Sequence, residues 1–226
     1  MKKLFRLIVI ITVNCQLSTI ISSCSQDVYD KGEGKYSLLR GDFAEAVVNS
    51  NQQVTKIVTD DGDELSLTAP YTAKWVSKAD TTYRCMLYYN KVEGKADVVS
   101  MGQVPCAAIV PLSKFDKELK TDPVKFESTW LSKTGRYLNL SILVKTGATD
   151  DTTAVQSLAI VCDTLITHTD GKQIRSLILH HDQGNVPEYY STQVYVSIPT
   201  NRIDADSVRI SINSYDGEVV AKHPCR

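Results

Sequence analysis

Past residue 36 the chain never repeats its apolar residues at helical spacing over the length of a usual helix. It alternates apolar and polar residues over short runs, and the runs end on Asp-Gly, Asn or Pro. That punctuation predicts an all-β fold. Residues 54–59 alternate Val54, Lys56 and Val58 with Thr55, Ile57 and Thr59, and the following Asp60-Asp61-Gly62-Asp63 reads as a solvated hairpin tip. With the runs at 36–49, 65–68, 81–92 and 96–112, this gives about five strands interrupted by Gly41, Gly94, Gly102 and Pro105. Glycines and bulges bend strands, so residues 35–112 are expected to close into an OB-like five-stranded barrel.

Residues 113–125 are charged, carry Pro123, and read as an inter-domain linker. Beyond them, Leu138, Leu140, Ile142 and Val144 face one way along one strand, and Val194, Val196 and Ile198 along another. Further runs at 157–168, 174–181, 207–214 and 219–222 complete an antiparallel β-sandwich over 126–226.

The first residues are of a different kind. Lys2, Lys3 and Arg6 precede the run Leu7-Ile8-Val9-Ile10-Ile11, which is too short to span a bilayer. Ile21-Ser22-Ser23-Cys24 then forms a lipobox: small side chains beside the cut and a thiol to accept lipid. Residues 1–23 are expected to be a cleaved lipoprotein signal, with Cys24 lipidated and 24–34 a flexible tether. Cys15, behind Asn14, is a poor rival. Ser25 after the cysteine favours the outer membrane, facing the periplasm or the cell surface.

Without the signal, 22 basic residues stand against 26 acidic ones, and no basic stripe occurs, so nucleic acid is not expected as a partner. Cys85, Cys106, Cys162 and Cys225 remain for disulfides, with Cys162–Cys225 the candidate pair. Their spacing matches no metal pattern. Neither a metal nor any cofactor is expected.

Three clusters could carry chemistry. His180-His181-Asp182 could serve a hydrolase, but neighbours on a strand point to opposite faces, which favours a strand end running into a polar turn. Asp60-Asp61-Gly62-Asp63-Glu64 has the composition of a calcium loop without its register. Tyr71, Trp75, Tyr83 and Tyr88 could line an aromatic face that stacks on a glycan, or could simply pack. No nucleophile elbow, zinc-protease or phosphate-loop motif occurs, and no catalytic residue is assigned.

Asp122-Pro123-Val124, then Trp130 and Gly135-Arg136-Tyr137-Leu138-Asn139-Leu140, resemble the start of the C-terminal domain of the NigD-like lipoproteins of Bacteroidetes. The order of lipobox, small OB-like domain and β-sandwich is similar too. The resemblance implies that two-domain fold and an outer-membrane lipoprotein of a gut or oral anaerobe, with a link to bacteriocin immunity through gene neighbourhood. The family carries no established catalytic residues, so none transfers. Trp130 and Tyr137 are expected at the sandwich edge or the domain junction, and Arg136 and Asn139 at that junction, fixing the linker by hydrogen bonds.

The leading expectation is a non-enzymatic, lipid-anchored binding protein whose partner is another envelope protein. The alternatives are a glycan-binding module and, after it, the hydrolase.

Overall fold

The computed structural model describes residues 38–225. The first five strands are β1 (Arg40–Val48), β2 (Val54–Thr59), β3 (Glu64–Tyr71), β4 (Thr82–Val92) and β5 (Lys95–Gln103). They close in the order β1-β2-β3-β5-β4, with β1 pairing back onto β4. β3 meets β5 in parallel at Leu67 and Ala96. This is a five-stranded OB-like barrel. Ala44, Ala46 and Ala96 leave room inside for the ring of Tyr89, which is fully buried with Leu87 and Ile57. The Tyr89 hydroxyl still donates to Asp42 Oδ2 at 2.9 Å, so burying the ring strands no polar atom.

The chain crosses between the modules at 104–108. The run at 96–112, expected as one strand, stops at Gln103, because Pro105 has no N–H for a ladder. The short strand β6 (Ile109–Pro111) then pairs in parallel with β9 (Ser157–Thr167), in the second module.

That module also contains β7 (Lys125–Leu131), β8 (Tyr137–Thr146), β10 (Gln173–Asp182), β11 (Tyr190–Pro199), β12 (Ser207–Ser214) and β13 (Gly217–Pro224). One sheet runs β13-β12-β10-β9-β6 and the other β11-β8-β7. Leu138, Leu140, Ile142, Val144, Val196 and Ile198 from the smaller sheet meet Ile160, Leu177, Leu179, Val208, Ile210 and Ile212 from the larger. Two pairings, β10 with β12 and β6 with β9, are parallel, because β11 leaves for the other sheet between β10 and β12, and β7 and β8 do so between β6 and β9.

Residues 113–125 do not act as a free linker. His181 N–H donates to the Lys120 carbonyl, Asp122 N–H to the His181 carbonyl and Val124 N–H to the Asn213 carbonyl. The segment is a strap across the ends of β10 and β12. β7 then starts inside the stretch expected as linker. A bulge between Phe126 and Ser128 breaks its alternation, and the polar Lys125, Glu127 and Ser128 hide it further.

Candidate functional site

The barrel rests its β1/β4 face on the outer face of β11-β8-β7. Arg84 leaves β4 into this joint with its side chain 1% exposed. Its Nη1 and Nη2 donate to both carboxylate oxygens of Asp60 at 2.7 and 2.6 Å. The guanidinium also donates to Ser197 Oγ at 3.0 Å and to Asn139 Oδ1 at 3.1 Å. Asn139 Nδ2 donates to Asp60 Oδ2 at 3.0 Å, and Ser197 Oγ to Asn139 Oδ1 at 2.7 Å, which closes the network. The Tyr137 ring stacks on the guanidinium at 4.1 Å. A buried charge is tolerated only when paired and hydrogen-bonded, and here all three guanidinium nitrogens donate.

Around that centre, Tyr137 Oη and Arg136 Nη1 donate to the two oxygens of Glu45 at 2.7 and 2.8 Å. Burial, and then Glu45 as acceptor, push the Tyr137 phenol above its ordinary pKa, so it stays a donor. Phe43 sits edge-on to both Trp130 and Tyr195, with ring centroids 5.3 and 5.2 Å apart. Trp130, Arg136, Tyr137 and Asn139 therefore lie between the modules, facing Arg84, Asp60, Glu45 and Phe43 of the barrel. The Asp60 turn, expected as a solvated tip, docks on the sandwich instead, because its first carboxylate neutralises Arg84. Thr134 N–H donates to the Asp60 carbonyl, and Lys133 pairs with Asp61.

The four aromatic residues of the barrel do not share a face. Trp75 and Tyr83 meet edge-on at 5.7 Å and pack against the barrel core, with Tyr71 also half-buried there. The Tyr83 hydroxyl is held by the N–H groups of Ser77 and Lys78. Tyr88 stands on the other face of β4, over Gly41. Strand alternation separates residues 83 and 88, so the four do not form one stacking platform.

His180 and His181 are both 1% exposed. His180 Nδ1 accepts from Lys120 N–H at 3.2 Å, its Nε2 lies 3.3 Å from Ser157 Oγ, and its ring meets Phe115 edge-on. His181 Nδ1 faces the Asp122 carbonyl at 2.9 Å and its Nε2 faces the Gln156 amide at 2.9 Å. Three of the four ring nitrogens thus hold the strap or the adjoining loop, and the fourth meets the first residue of β9. Among the described residues no group of three or more His, Cys, Asp or Glu side chains is placed to hold a metal.

Burial lowers the pKa of His180, against the pull of Asp182 and with Lys117 and His181 adding to the lowering. Burial lowers His223 likewise. Each depressed histidine refuses a proton in the fold that the unfolded chain accepts near pH 6.5. Stability is therefore expected to be full above about pH 6.5 and to fall with acidification until the folded-state values are passed. Thermal midpoints between about pH 7.5 and 5 check this. His180→Asn should flatten the profile in part, leaving the share of His223; an unchanged profile would remove His180 from the account.

The Cys162–Cys225 pairing is not formed, and Cys162 is a free thiol packed against the second core. Cys162 is on β9, and Cys225 follows β13, three strand positions away in the sheet. Three spacings of about 4.8 Å exceed disulfide reach. Cys85 lies inside the barrel, its thiol pushed up to about 12 by burial, and it serves as packing. Cys24 lies outside the described residues.

Sequence reasoning passed over the far end of the sandwich. β8 and β11 run from the joint for about 30 Å and end on three connections, at 147–156, 183–189 and 215–216. Tyr189, Tyr190 and Tyr215 are 77%, 56% and 47% exposed there, beside Val155 at 64%. A recess of about 880 Å³ opens beside Val155, with Lys120, Asp122, Asp182 and Glu188 on its walls. Its frame is fixed: Gln183 donates to the carbonyls of Lys145 and Val186, and Val155 N–H donates to the Gly184 carbonyl. The adjacent Tyr189-Tyr190 was the sequence signal, but it read as a strand start.

The molecule is thus a two-module all-β protein, an OB-like barrel locked onto the smaller sheet of a β-sandwich. The chain belongs to the NigD-like family: the model of the NigD-like C-terminal beta sandwich domain matches residues 108–223. Among solved structures it is similar to a NigD-like immunity protein from Bacteroides caccae ATCC 43185, with TM-score 0.62 and 19% identity over 81% of this chain and 91% of that one. A protein of unknown function, DUF1344, from Bacteroides vulgatus ATCC 8482 aligns with TM-score 0.60 and 17% identity over 82% and 90% of the two chains. A protein named as a presumed lipoprotein, from Bacteroides fragilis NCTC 9343, aligns with TM-score 0.59 and 14% identity over 83% and 98%. At these identities the likeness speaks to the fold. No curated protein matches the sequence.

Proposed function

We propose that the protein is an outer-membrane lipoprotein, anchored through Cys24, that binds another envelope protein without catalysis. The binding surface is the loop end of the sandwich. The observation that carries this reading is the exposed group Tyr189, Tyr190, Tyr215 and Val155 on a frame braced by hydrogen bonds. Tyrosines on a rigid frame supply contact area at small entropic cost, and exposed apolar surface of this kind is uncommon without a partner. The name of the Bacteroides caccae structure, a NigD-like immunity protein, supports a toxin as the partner. Immunity by sequestration needs tight binding and no active site.

The test is retention from envelope extract on the immobilised mature chain at high salt. The triple variant Tyr189→Ala/Tyr190→Ala/Tyr215→Ala should lose the retained protein, whereas Trp75→Ala should keep it. Equal retention by the triple variant would place the surface elsewhere. Labelling with radioactive palmitate, lost in Cys24→Ser, tests the anchor separately.

A further inference from the structure

Among the described residues the sandwich has four sheet edges, at β13, β6, β7 and β11. Three carry devices that discourage pairing with another chain. β13 has Glu218, Lys222 and Pro224, β6 is three residues long and ends on Pro111, and β7 has Lys125, Glu127 and a bulge. β11 has none of these from Tyr190 to Tyr195: its run Tyr-Ser-Thr-Gln-Val-Tyr holds no charge and no proline.

The backbone directions follow from Ser197. Its N–H donates to the Pro105 carbonyl and its carbonyl accepts from Ala107 N–H, so its backbone groups point away from β8. β11 pairs with β8 without a register shift. Strand alternation therefore points the N–H and C=O groups of Ser191, Gln193 and Tyr195 outward as well. None of these groups bonds to another described residue beyond β8, and Ser191, Thr192 and Gln193 are exposed.

We infer that this edge pairs with the same edge of a second copy of the chain, β11 against β11, antiparallel about a two-fold axis at Gln193. The bridge between Cys106 and Ser197 closes the edge beyond Tyr195, which leaves an open run centred on Gln193. A two-fold there sets Ser191 against the partner's Tyr195 and Gln193 against itself, so every outward group meets an outward group. No like charges meet, and the arrangement closes at two copies. The two three-stranded sheets become one sheet of six. An edge of this length buries less area than a standard stable interface, so the association is a weak one. Attachment of both copies to one membrane raises its effective concentration.

The mature chain carrying Cys24→Ser, which leaves off the lipid, is followed by sedimentation from about 1 to 200 μM, the range where a weak interface shows. A reversible approach to twice the monomer mass is expected. Gln193→Pro deletes an outward N–H and the side-chain bond to Ser141 Oγ but leaves the β8 ladder intact, so its thermal midpoint should match that of Gln193→Ala, which loses the same side-chain bond, while self-association weakens at least about tenfold. Gln193→Lys, which sets two cations face to face, should behave alike. In a Cys106→Ala background, Gln193→Cys should form a disulfide between copies, because such pairs hold their Cα atoms about 5.5 Å apart. A parent that stays monomeric overturns the inference. So does a dimer that survives both Gln193→Pro and Gln193→Lys or fails to cross-link.

Discussion

Arg84→Ala is expected to lower the thermal midpoint by on the order of 10 °C and to split one unfolding transition into two. Removing one member of a buried, hydrogen-bonded ion pair costs about 3–5 kcal/mol, because the other member is left uncompensated. Here the stranded group is Asp60, whose side chain is 14% exposed. In a chain of this size each kcal/mol moves the midpoint by about 2–4 °C. The splitting has a separate cause. Arg84 joins Asp60, Asn139 and Ser197 in one network, so its loss uncouples two cores that otherwise melt together. Arg84→Lys should recover little, since an ammonium cannot make the two-pronged contact to Asp60. Asp60→Asn added to Arg84→Ala should cost much less than it does alone, as expected for partners in one network. Scanning calorimetry reads all four. A single transition displaced by less than about 2 °C would mean that the joint contributes little to stability.

Gly184→Ala is the second large effect. Gly184 has φ +57°, and an added Cβ would lie 1.9 Å from the Val155 carbonyl oxygen and 2.7 Å from its carbon. Both are backbone atoms and neither can turn aside. The left-handed conformation costs an alanine about 1–2 kcal/mol, and the overpacking adds about 1–3 kcal/mol. The connections at 147–156 and 183–189 must part, breaking the bond from Val155 N–H to the Gly184 carbonyl. Amide exchange at Val155 and at residues 183–186 should accelerate by roughly tenfold to a thousandfold, at about 1.4 kcal/mol per decade. Gly171→Ala is the control. Gly171 has φ +82° with nothing within 4 Å of an added Cβ, so it pays the conformational cost alone. Equal behaviour of the two variants would show that the loop frame gives way without loss. If the proposed binding surface is correct, Gly184→Ala should also weaken partner retention with all three tyrosines intact.

The sandwich core was legible in the sequence because its strands alternate cleanly. Leu138, Leu140, Ile142 and Val144 read as one face and form one face. The barrel was legible from its turn glycines and its run of short strands. The joint was not. Arg84 occupies a polar position between Tyr83 and Cys85, which in an isolated strand means solvent, and Asp60 belongs to an Asp-Gly turn, which means the same. Each is buried only by the other module, and Arg84 and Ser197 are 113 residues apart in the chain. No local pattern encodes such a contact. Trp130 and the Gly135–Asn139 run drew notice through family resemblance, and nothing comparable marked their counterparts Phe43, Glu45 and Asp60. The strap at 113–125 misled for a related reason. Most of its charged residues are exposed, and what anchors it is largely backbone hydrogen bonding, joined by Lys120 to Asp182 and Asp122 to the Gln183 N–H, contacts that residue identity does not reveal. The paired histidines beneath it resembled chemistry because histidine is rarely spent on fastening a loop.

The joint also decides how the molecule would carry force. A pull on the loop end runs lengthwise along β8 and β11, so the hydrogen bonds of that ladder are loaded together and share the tension. The load passes into the barrel through Arg136 and Tyr137 to Glu45, and through Asn139 and Ser197 to Arg84 and Asp60. In the barrel it meets a closed ring of strands with no free edge from which to peel. If the proposed anchor and partner are correct, a tug between them would load both modules along their strands before either could open.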